Sequence, residues 1–175
     1  MHERTLVILK PDAIARGLAG KIITAIEDCG LKITDAKLMT ASRLTAEQHY
    51  NGSQEFLNAL GVKAIENAKS KGEDIIKKFG TENPAQIGAM IRTRILNYIT
   101  EGPVMPMIAE GNDAVRVVRK LIGATNPVDA DPSTIRGKYC TDSLELSSRE
   151  GRATRNLVHA SGNVAEAAAE IPIWF

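Results

Sequence analysis

Near the end of the chain, a histidine stands among polar residues that suit chemistry better than packing. The segment reads Arg155-Asn156-Leu157-Val158-His159-Ala160-Ser161, and a helix-like stretch from Ala165 to Ile171 follows. The pattern predicts that His159 lies where a short strand gives way to a helix. A lone histidine beside apolar residues is more often a packed side chain with both nitrogens satisfied, so the rest of the sequence has to decide whether His159 reacts.

Groups that suit phosphate recur at the ends of predicted elements. Lys10 follows the first predicted strand, Arg119 lies on a late helix, Thr125-Asn126-Pro127 lies in a loop, and Arg136 precedes Gly137. Lysine offers a point charge and arginine a planar fork that matches phosphate oxygens, while threonine and asparagine add neutral donors. Taken singly, these residues also fit solvated surface charges, turn residues or a loop salt bridge.

The common phosphate-binding loops are absent from the sequence. The stretch Gly17-Leu18-Ala19-Gly20-Lys21-Ile22 lacks the spacing and the final Ser or Thr of a P-loop. Kinase-type glycine-rich loops, zinc-ligand pairs and a Gly-x-Ser-x-Gly elbow do not occur either. Phosphate recognition therefore has to come from separate side chains.

Composition predicts one ordinary soluble domain. The chain has 175 residues, of which 43% are hydrophobic, and its 22 Lys and Arg residues against 21 Asp and Glu give a net charge of +1. With so little net charge, the protein has no long-range electrostatic attraction to nucleic acid or to a membrane surface. The two cysteines, Cys29 and Cys140, form no metal or redox spacing. With no signal or membrane segment recognised, we expect a cytoplasmic protein.

Hydrophobic periodicity predicts the elements that position these residues. The strands are expected at Thr5–Leu9, at Leu31–Thr40 with a bulge near Asp35, at Val104–Ala109 and just before His159. Helices are expected from Leu18 to Gly30, from a Thr45–Gln48 capping box, after Pro84, and from an Asn112 cap to Gly123. Residues 51–84 are predicted to form short surface helices, and Thr141–Arg155 is predicted to be a polar stretch.

Without the peripheral helices, the order is strand, helix, strand, strand, helix, strand. This split βαβ pattern predicts an α+β fold, a ferredoxin-like α/β sandwich with a four-stranded antiparallel sheet and additional peripheral helices. It implies helices on one face of the sheet.

Taken together, several stretches resemble the nucleoside diphosphate kinase family. The two most specific are Lys10-Pro11-Asp12 and the Asn-x-x-His-x-Ser pattern from Asn156 to Ser161. The other matching stretches, in the family's order, are Glu3-Arg4-Thr5, Arg16-Gly17-Leu18, His49-Tyr50, Gly102-Pro103-Val104, Gly123-Ala124-Thr125-Asn126-Pro127, Thr134-Ile135-Arg136-Gly137 and Ile173-Trp174-Phe175.

The resemblance implies a reaction and a set of site residues. It implies that the γ-phosphoryl group of a nucleoside triphosphate passes to a nucleoside diphosphate through a phosphohistidine on His159, by ping-pong kinetics. Glu170 would orient the imidazole, and Tyr50 and Ser161 would place hydroxyl groups near the phosphate. The implied nucleotide and phosphate contacts are Lys10, Arg119, Thr125, Arg136 and Asn156. Mg²⁺ would arrive with the nucleotide without dedicated protein ligands, and the protein would assemble as a hexamer or tetramer.

Some positions depart from the family pattern. Gly162 stands where Asp is usual, and Ala124 often corresponds to Glu. The single domain, 1–175, would carry a helical insertion at about 51–84 and a shorter one within 141–155. Because the residue that contacts the base normally lies in the first of these regions, Phe56 is the candidate for stacking on the base, although an apolar helix contact explains it equally well.

Two other functions compete with this enzyme. A catalytically weak nucleotide-binding or interaction subunit would keep the fold without needing Lys10, Arg119, Arg136, Asn156 and His159 together. An RNA-binding module on the same kind of sheet is disfavoured, because the chain is only 4% aromatic and shows no aromatic RNA-binding strand.

Overall fold

A computed structural model describes all residues, 1–175. The strands are β1 (His2–Leu9), β2 (Lys32–Ala36), β3 (Met39–Thr40), β4 (Pro103–Asn112) and β5 (Val158–Ala160). The helices are α1 (Pro11–Ala15), α2 (Ala19–Asp28), α3 (Arg43–His49), α4 (Gln54–Ser70), α5 (Ile75–Phe79), α6 (Pro84–Thr100), α7 (Ala114–Ile122), α8 (Ile135–Tyr139), α9 (Leu144–Arg149) and α10 (Val164–Trp174), with a short 3₁₀ helix at Pro127–Asp129.

The sheet has the strand order β2-β4-β1-β5, and all neighbours are antiparallel. The short strand β3 pairs with the start of β4. The register shifts between Ile33 and Asp35, which confirms the predicted bulge. With α2 and α7 as the connecting helices, this is the split βαβ arrangement, and the predicted ferredoxin-like class is confirmed.

Helices cover both faces of the sheet, so the expectation of helices on one face was wrong. Val7 and Leu9 of β1 pack in a core cluster with residues of α2 and α7. Leu6 and Ile8 point the other way and pack with residues of α3, α6 and α10. Successive strand side chains alternate between faces, and both sets in β1 are apolar. Each face of the central strand therefore has to be covered.

The region predicted as short surface helices contains one long helix, α4, which packs against α6. The two helix backbones approach closely at two glycines. A Cβ atom on Gly61 would lie 1.8 Å from the carbonyl oxygen of Pro84, and one on Gly88 would lie 1.9 Å from that of Leu57. Glycine disfavours the interior of a helix, but Gly61 has no Cβ atom and so allows this close approach.

Several boundaries also differ from the predictions. Ser42 caps α3 by accepting a hydrogen bond from the Thr45 amide at 3.0 Å, so the helix begins before the predicted Thr45 box. Asp113, rather than Asn112, immediately precedes α7. Helices α8 and α9 form where no helix was predicted. None of the helices has the length and apolar character needed to cross a membrane.

Candidate active site

The pairing of β5 with β1 positions His159. Ile8 of β1 lies opposite His159, while Val158 and Ala160 on either side join the core cluster that contains α2 and α7. Because strand side chains alternate, His159 points away from that cluster, toward α3 and α10. The predicted strand before the histidine is therefore present, and the reactive candidate lies on an edge strand.

The His159 imidazole is held by Glu170 of α10. Its Nε2 lies 3.1 Å from Oε2 of Glu170, and the Ser161 hydroxyl donates to the same oxygen at 2.6 Å. Burial opposes ionisation of Glu170, but the hydrogen bond and the charge of His159 outweigh burial, and the pKa of the carboxyl is lowered. A carboxylate acceptor assigns the proton to Nε2 of His159. Nδ1 then carries the free lone pair.

A second histidine, His49 at the end of α3, packs against the first. The ring centroids of His49 and His159 are 4.4 Å apart. The Trp174 indole donates to Nδ1 of His49 at 3.1 Å, while Nε2 of His49 lies 3.8 Å from Oε1 of Glu170. Burial, followed by the charge of His159, lowers the pKa of His49 to about 3, so this ring is neutral. The site prediction did not include His49.

His49, His159 and Glu170 also have the ligand types of a metal site, and their ligand atoms lie within 4.8 Å of one another. However, an indole can only donate a hydrogen bond, so Nδ1 of His49 must be the acceptor. The proton of the neutral ring then lies on Nε2, the atom that faces Glu170. A protonated nitrogen has no lone pair for a metal, and the arrangement suits orientation of the carboxylate instead.

Lys10 and Asn156 form the next part of the site. Nζ of Lys10 donates to Oδ1 of Asn156 at 2.6 Å, and Nδ2 of Asn156 donates to the carbonyl oxygen of Thr125 at 3.0 Å. Burial and the nearby Arg136 lower the pKa of Lys10 to about 7. Near neutral pH, the free protein therefore contains both the protonated and the neutral form of Lys10.

Arg136 is buried and supports the backbone around the histidine. Its Nε donates to the carbonyl oxygen of Asn156 at 3.1 Å, and its two terminal nitrogens donate to those of Gly123 at 2.8 Å and Val158 at 2.7 Å. A guanidinium has five N–H groups, so two remain for a ligand. Burial lowers the pKa of Arg136 to about 10, and it stays charged at neutral pH.

These residues line one cavity of about 660 Å³. This volume is in the range of small-molecule sites. Its polar end is lined by Lys10, Tyr50, Arg119, Thr125, Arg136, Asn156 and His159. Elsewhere the wall mixes apolar side chains of three helices with charged ones: the apolar ones include Leu60, Ala64 and Ala68 of α4, Ile91 and Ile95 of α6 and Leu144 of α9, and the charged ones include Lys63, Lys71, Lys78 and Arg94.

The structure thus brings together most of the residues singled out in the sequence. Ser161 and Glu170 lie behind His159, and burial raises the pKa of Tyr50, whose hydroxyl keeps its proton. Phe56 is half-buried and is not among the residues that line the cavity. Sequence reasoning did not select Asp12 or Tyr98, although Asp12 belongs to the Lys-Pro-Asp motif.

Comparisons with known proteins show which family the chain belongs to. The family model described as nucleoside diphosphate kinase matches residues 3–60 and 86–175. A nucleoside diphosphate kinase of Pyrobaculum aerophilum is 46% identical over 173 residues, which cover 99% of this chain and 94% of the relative. One from Pyrococcus furiosus is 38% identical, with coverage of 99% and 83%.

Solved structures show the same likeness. The crystal structure of the NDP kinase from Pyrobaculum aerophilum superposes with a TM-score of 0.94 at 44% identity, covering 100% of this chain and 96% of that one. A transition-state mimic of the Borrelia burgdorferi enzyme with bound vanadate and ADP gives a TM-score of 0.76 at 32% identity, covering 99% and 87%. The chain belongs to the nucleoside diphosphate kinase family.

Proposed function

We propose that this phosphotransferase carries the γ-phosphoryl group from a nucleoside triphosphate, typically ATP, to a nucleoside diphosphate as a phosphohistidine on His159. The observation that carries the proposal is the hydrogen bond between Nε2 of His159 and Glu170 at the wall of the cavity. It ties up one ring nitrogen and leaves Nδ1 as the nucleophile.

The transfer has two half-reactions. Nδ1 of His159 attacks the γ-phosphorus, and the bond from that phosphorus to the β–γ bridging oxygen breaks. The nucleoside diphosphate leaves, and a terminal phosphate oxygen of the second diphosphate then attacks the phosphohistidine. Glu170 stabilises the positive charge that develops on the ring, because its carboxylate accepts the Nε2 proton. One site serves donor and acceptor in turn, so the kinetics are ping-pong.

The cationic end of the cavity supplies charge stabilisation. Phosphoryl transfer has a loose transition state in which charge spreads over the non-bridging oxygens, so positioned cations do most of the work. Lys10 supplies its ammonium group, Arg119 supplies its guanidinium group, and Arg136 supplies the two N–H groups that the protein leaves unbonded. We assign Tyr50 and Thr125 as further phosphate contacts, and Asn156 as the residue that aligns Lys10 and contacts the nucleotide.

The residues at this end fit a Mg²⁺ ion that arrives on the nucleotide. Of the two acids that line the cavity, Asp129 accepts a hydrogen bond from Asn126 at 2.8 Å and Glu145 pairs with Lys71. The phosphate end is otherwise cationic, so the nucleotide's own phosphate oxygens would supply the ligands. When bound, the ion neutralises phosphate charge and fixes the geometry of the triphosphate.

The base is expected against the apolar side chains of the cavity wall. Phe56, the candidate from the sequence, lies outside the lining, whereas Ile91 and Ile95 of α6 and Leu144 of α9 form part of the wall. Apolar contact with the faces of a base reads its identity loosely. We therefore expect several nucleoside diphosphates to be accepted.

We propose that the inserted segments complete this end of the site within the single domain 1–175. Ala64, Ala68 and Lys71 fall between the two stretches that the family model matches, and all three line the cavity. The ion pair between Lys71 and Glu145 joins α4 to α9 across it. The insertion at about 51–84 and the segment within 141–155 would thus form one wall.

The decisive experiment is a labelling assay with γ-labelled Mg-ATP. After removal of the nucleotide, the protein should carry an acid-labile phosphoryl group that a nucleoside diphosphate discharges. The His159→Ala variant should take up no label, while His2→Ala, which changes an exposed histidine outside the site, should label like the wild type. An unlabelled wild type would favour a nucleotide-binding subunit without activity, and full label on His159→Ala would overturn the assignment.

We further propose a cytoplasmic homo-oligomer, a hexamer or tetramer. The two cysteines are unpaired, as expected for a reducing compartment. Leu38 and Leu44 are 60% and 65% exposed in the single chain, and burial of such side chains favours assembly. Light scattering of the purified protein measures the number of subunits.

A further inference from the structure

The residue two positions before the histidine has an unusual backbone conformation. Leu157 has a φ of +66°, and it is one of only two non-glycine residues with positive φ. The Val158 amide donates to the carbonyl oxygen of Asn156 at 2.7 Å, which closes a three-residue γ-turn around Leu157. This conformation costs free energy for a residue with a side chain and persists only where surrounding groups hold it.

The turn has a direct consequence for the site. In a regular strand, residues three positions apart point to opposite faces. Asn156 and His159 are three apart, yet both line the same cavity, as do Val158 and Ala160, whereas Leu157 is fully buried and does not line it. The γ-turn at Leu157 is what allows the nucleophile and Asn156 to face one ligand.

A buried carboxylate holds this turn. Oδ2 of Asp12 accepts the Leu157 amide proton at 3.2 Å, and Oδ1 of Asp12 accepts the hydroxyl proton of Tyr98 at 2.5 Å. On the C-terminal side of Leu157, the Lys10 amide donates to the Leu157 carbonyl oxygen at 2.8 Å. Asp12 is 8% exposed, Tyr98 is 4% exposed, and Asp12 does not line the cavity. Asp12 therefore touches no ligand in the cavity itself, and it reaches the site through the Leu157 amide and through Tyr98, which lines the cavity beside Lys10.

We propose that Asp12 is a positioning residue for His159, acting through the Leu157 amide, and that the Tyr98 hydroxyl orients Asp12 for this task. The catalytic consequence rests on the proposed phosphohistidine chemistry. The effect on the position of His159 does not depend on that chemistry, because the position of the imidazole can be measured without turnover. Without the carboxylate, the Leu157 amide loses its buried acceptor and the turn relaxes toward an extended strand.

Three variants separate positioning from general destabilisation. Asp12→Leu removes the acceptor, and Asp12→Asn keeps an oxygen that can accept from Leu157 while its amide donates to the Tyr98 oxygen. Tyr98→Phe keeps the ring and removes only the hydroxyl. We expect Asp12→Leu to slow phosphorylation of His159 about 10- to 100-fold while the dissociation constant for ADP stays within about threefold. Asp12→Asn should recover most of the rate, and Tyr98→Phe should be intermediate.

The second readout is ¹⁵N NMR of the histidine side chains in the full protein. The Nε2 proton signal of His159, which reports its hydrogen bond to Glu170, should shift or broaden in Asp12→Leu and return in Asp12→Asn. Wild-type spectra and labelling rate in Asp12→Leu, or equal impairment in both Asp12 variants, would overturn the proposal. If Asp12→Leu does not fold, Tyr98→Phe decides through the same two measurements. An unlabelled wild type whose spectra still respond to Asp12 would refute the phosphohistidine but not the positioning.

Discussion

The indole nitrogen of Trp174 donates a hydrogen bond to Nδ1 of His49 in the buried space behind the catalytic site. Nε2 of His49 has no hydrogen-bond partner at normal distance and lies 3.8 Å from Oε1 of Glu170. With its proton on Nε2, His49 presents a partial positive charge to the carboxylate that holds His159. Two residues of α10 thus support the nucleophile: Glu170 contacts His159 directly, and Trp174 orients His49 beside Glu170.

Replacing Trp174 with Phe should leave Nδ1 of His49 buried without a donor. An unsatisfied buried acceptor costs about 1–3 kcal/mol, and the smaller ring adds a packing loss. Urea unfolding should therefore show a free energy of unfolding lowered by at least about 1 kcal/mol. In a His49→Phe background the acceptor is already absent, so the same change should cost less. Equal costs in both backgrounds would show that the hydrogen bond contributes nothing.

Glu170→Gln should impair catalysis more than folding. The amide can still accept one hydrogen bond, but it loses the charge that stabilises the ring as phosphoryl transfer proceeds. We expect kcat to fall about 10- to 100-fold with a small change in KM. Glu166→Gln on the same helix is the matched control, because its side chain is exposed and caps the helix start. Steady-state assays that show equal kcat for both variants would refute the role of Glu170.

The ion pair between Lys71 and Glu145 provides a test of the inserted wall. Lys71→Glu places two acids together and should push α4 and α9 apart at the cavity. Because partly exposed pairs contribute up to about 1 kcal/mol, we expect KM for the nucleotide to rise about two- to fivefold. The reciprocal double variant, Lys71→Glu with Glu145→Lys, should restore it. A KM that stays raised in the double variant would mean that the pair does not close the site.

The sequence led to the candidate site residues, but not to most of the contacts around them. Short motifs carry Lys10, Asn156 and His159, and the resemblance to the family, with a helix that follows His159, pointed to Glu170. The contact between Trp174 and His49 spans 125 positions, and no local pattern reports it. Such contacts depend on how helices pack, and periodicity does not specify helix packing.

Backbone conformation was equally hidden. Leucine has no preference for positive φ, so nothing in the sequence marks the turn at Leu157. Gly61 and Gly88 are hard to interpret from the sequence for a different reason. Glycine disfavours the interior of a helix, yet here the absence of a Cβ atom allows α4 and α6 to approach closely. Glycine can end a helix or allow two helices to pack closely, and only the packing in the folded protein distinguishes the two.

This interpretation of the glycines predicts opposite effects for two similar substitutions. Gly61→Ala would place a methyl group 1.8 Å from the Pro84 carbonyl oxygen, so the helices must separate, and we expect a loss of about 1–3 kcal/mol. Gly20→Ala, inside α2 with no atom within 4 Å of the new methyl group, should gain about 0.5–1 kcal/mol from helix propensity. Urea unfolding compares the two. Equal effects would contradict the close crossing of α4 and α6.

The lowered pKa of Lys10 predicts proton uptake when a nucleotide binds. Burial and Arg136 hold the pKa near 7, so at pH 8 most of the free protein has a neutral lysine. Phosphate charge beside Nζ favours the protonated form and raises the pKa. Binding should therefore take up protons at pH 8 but few at pH 6, and affinity should fall as pH rises through 7.

Calorimetry of ADP binding in buffers of different ionisation enthalpy measures the uptake. Lys10→Met should abolish most of it, and undiminished uptake in that variant would assign the proton to another group.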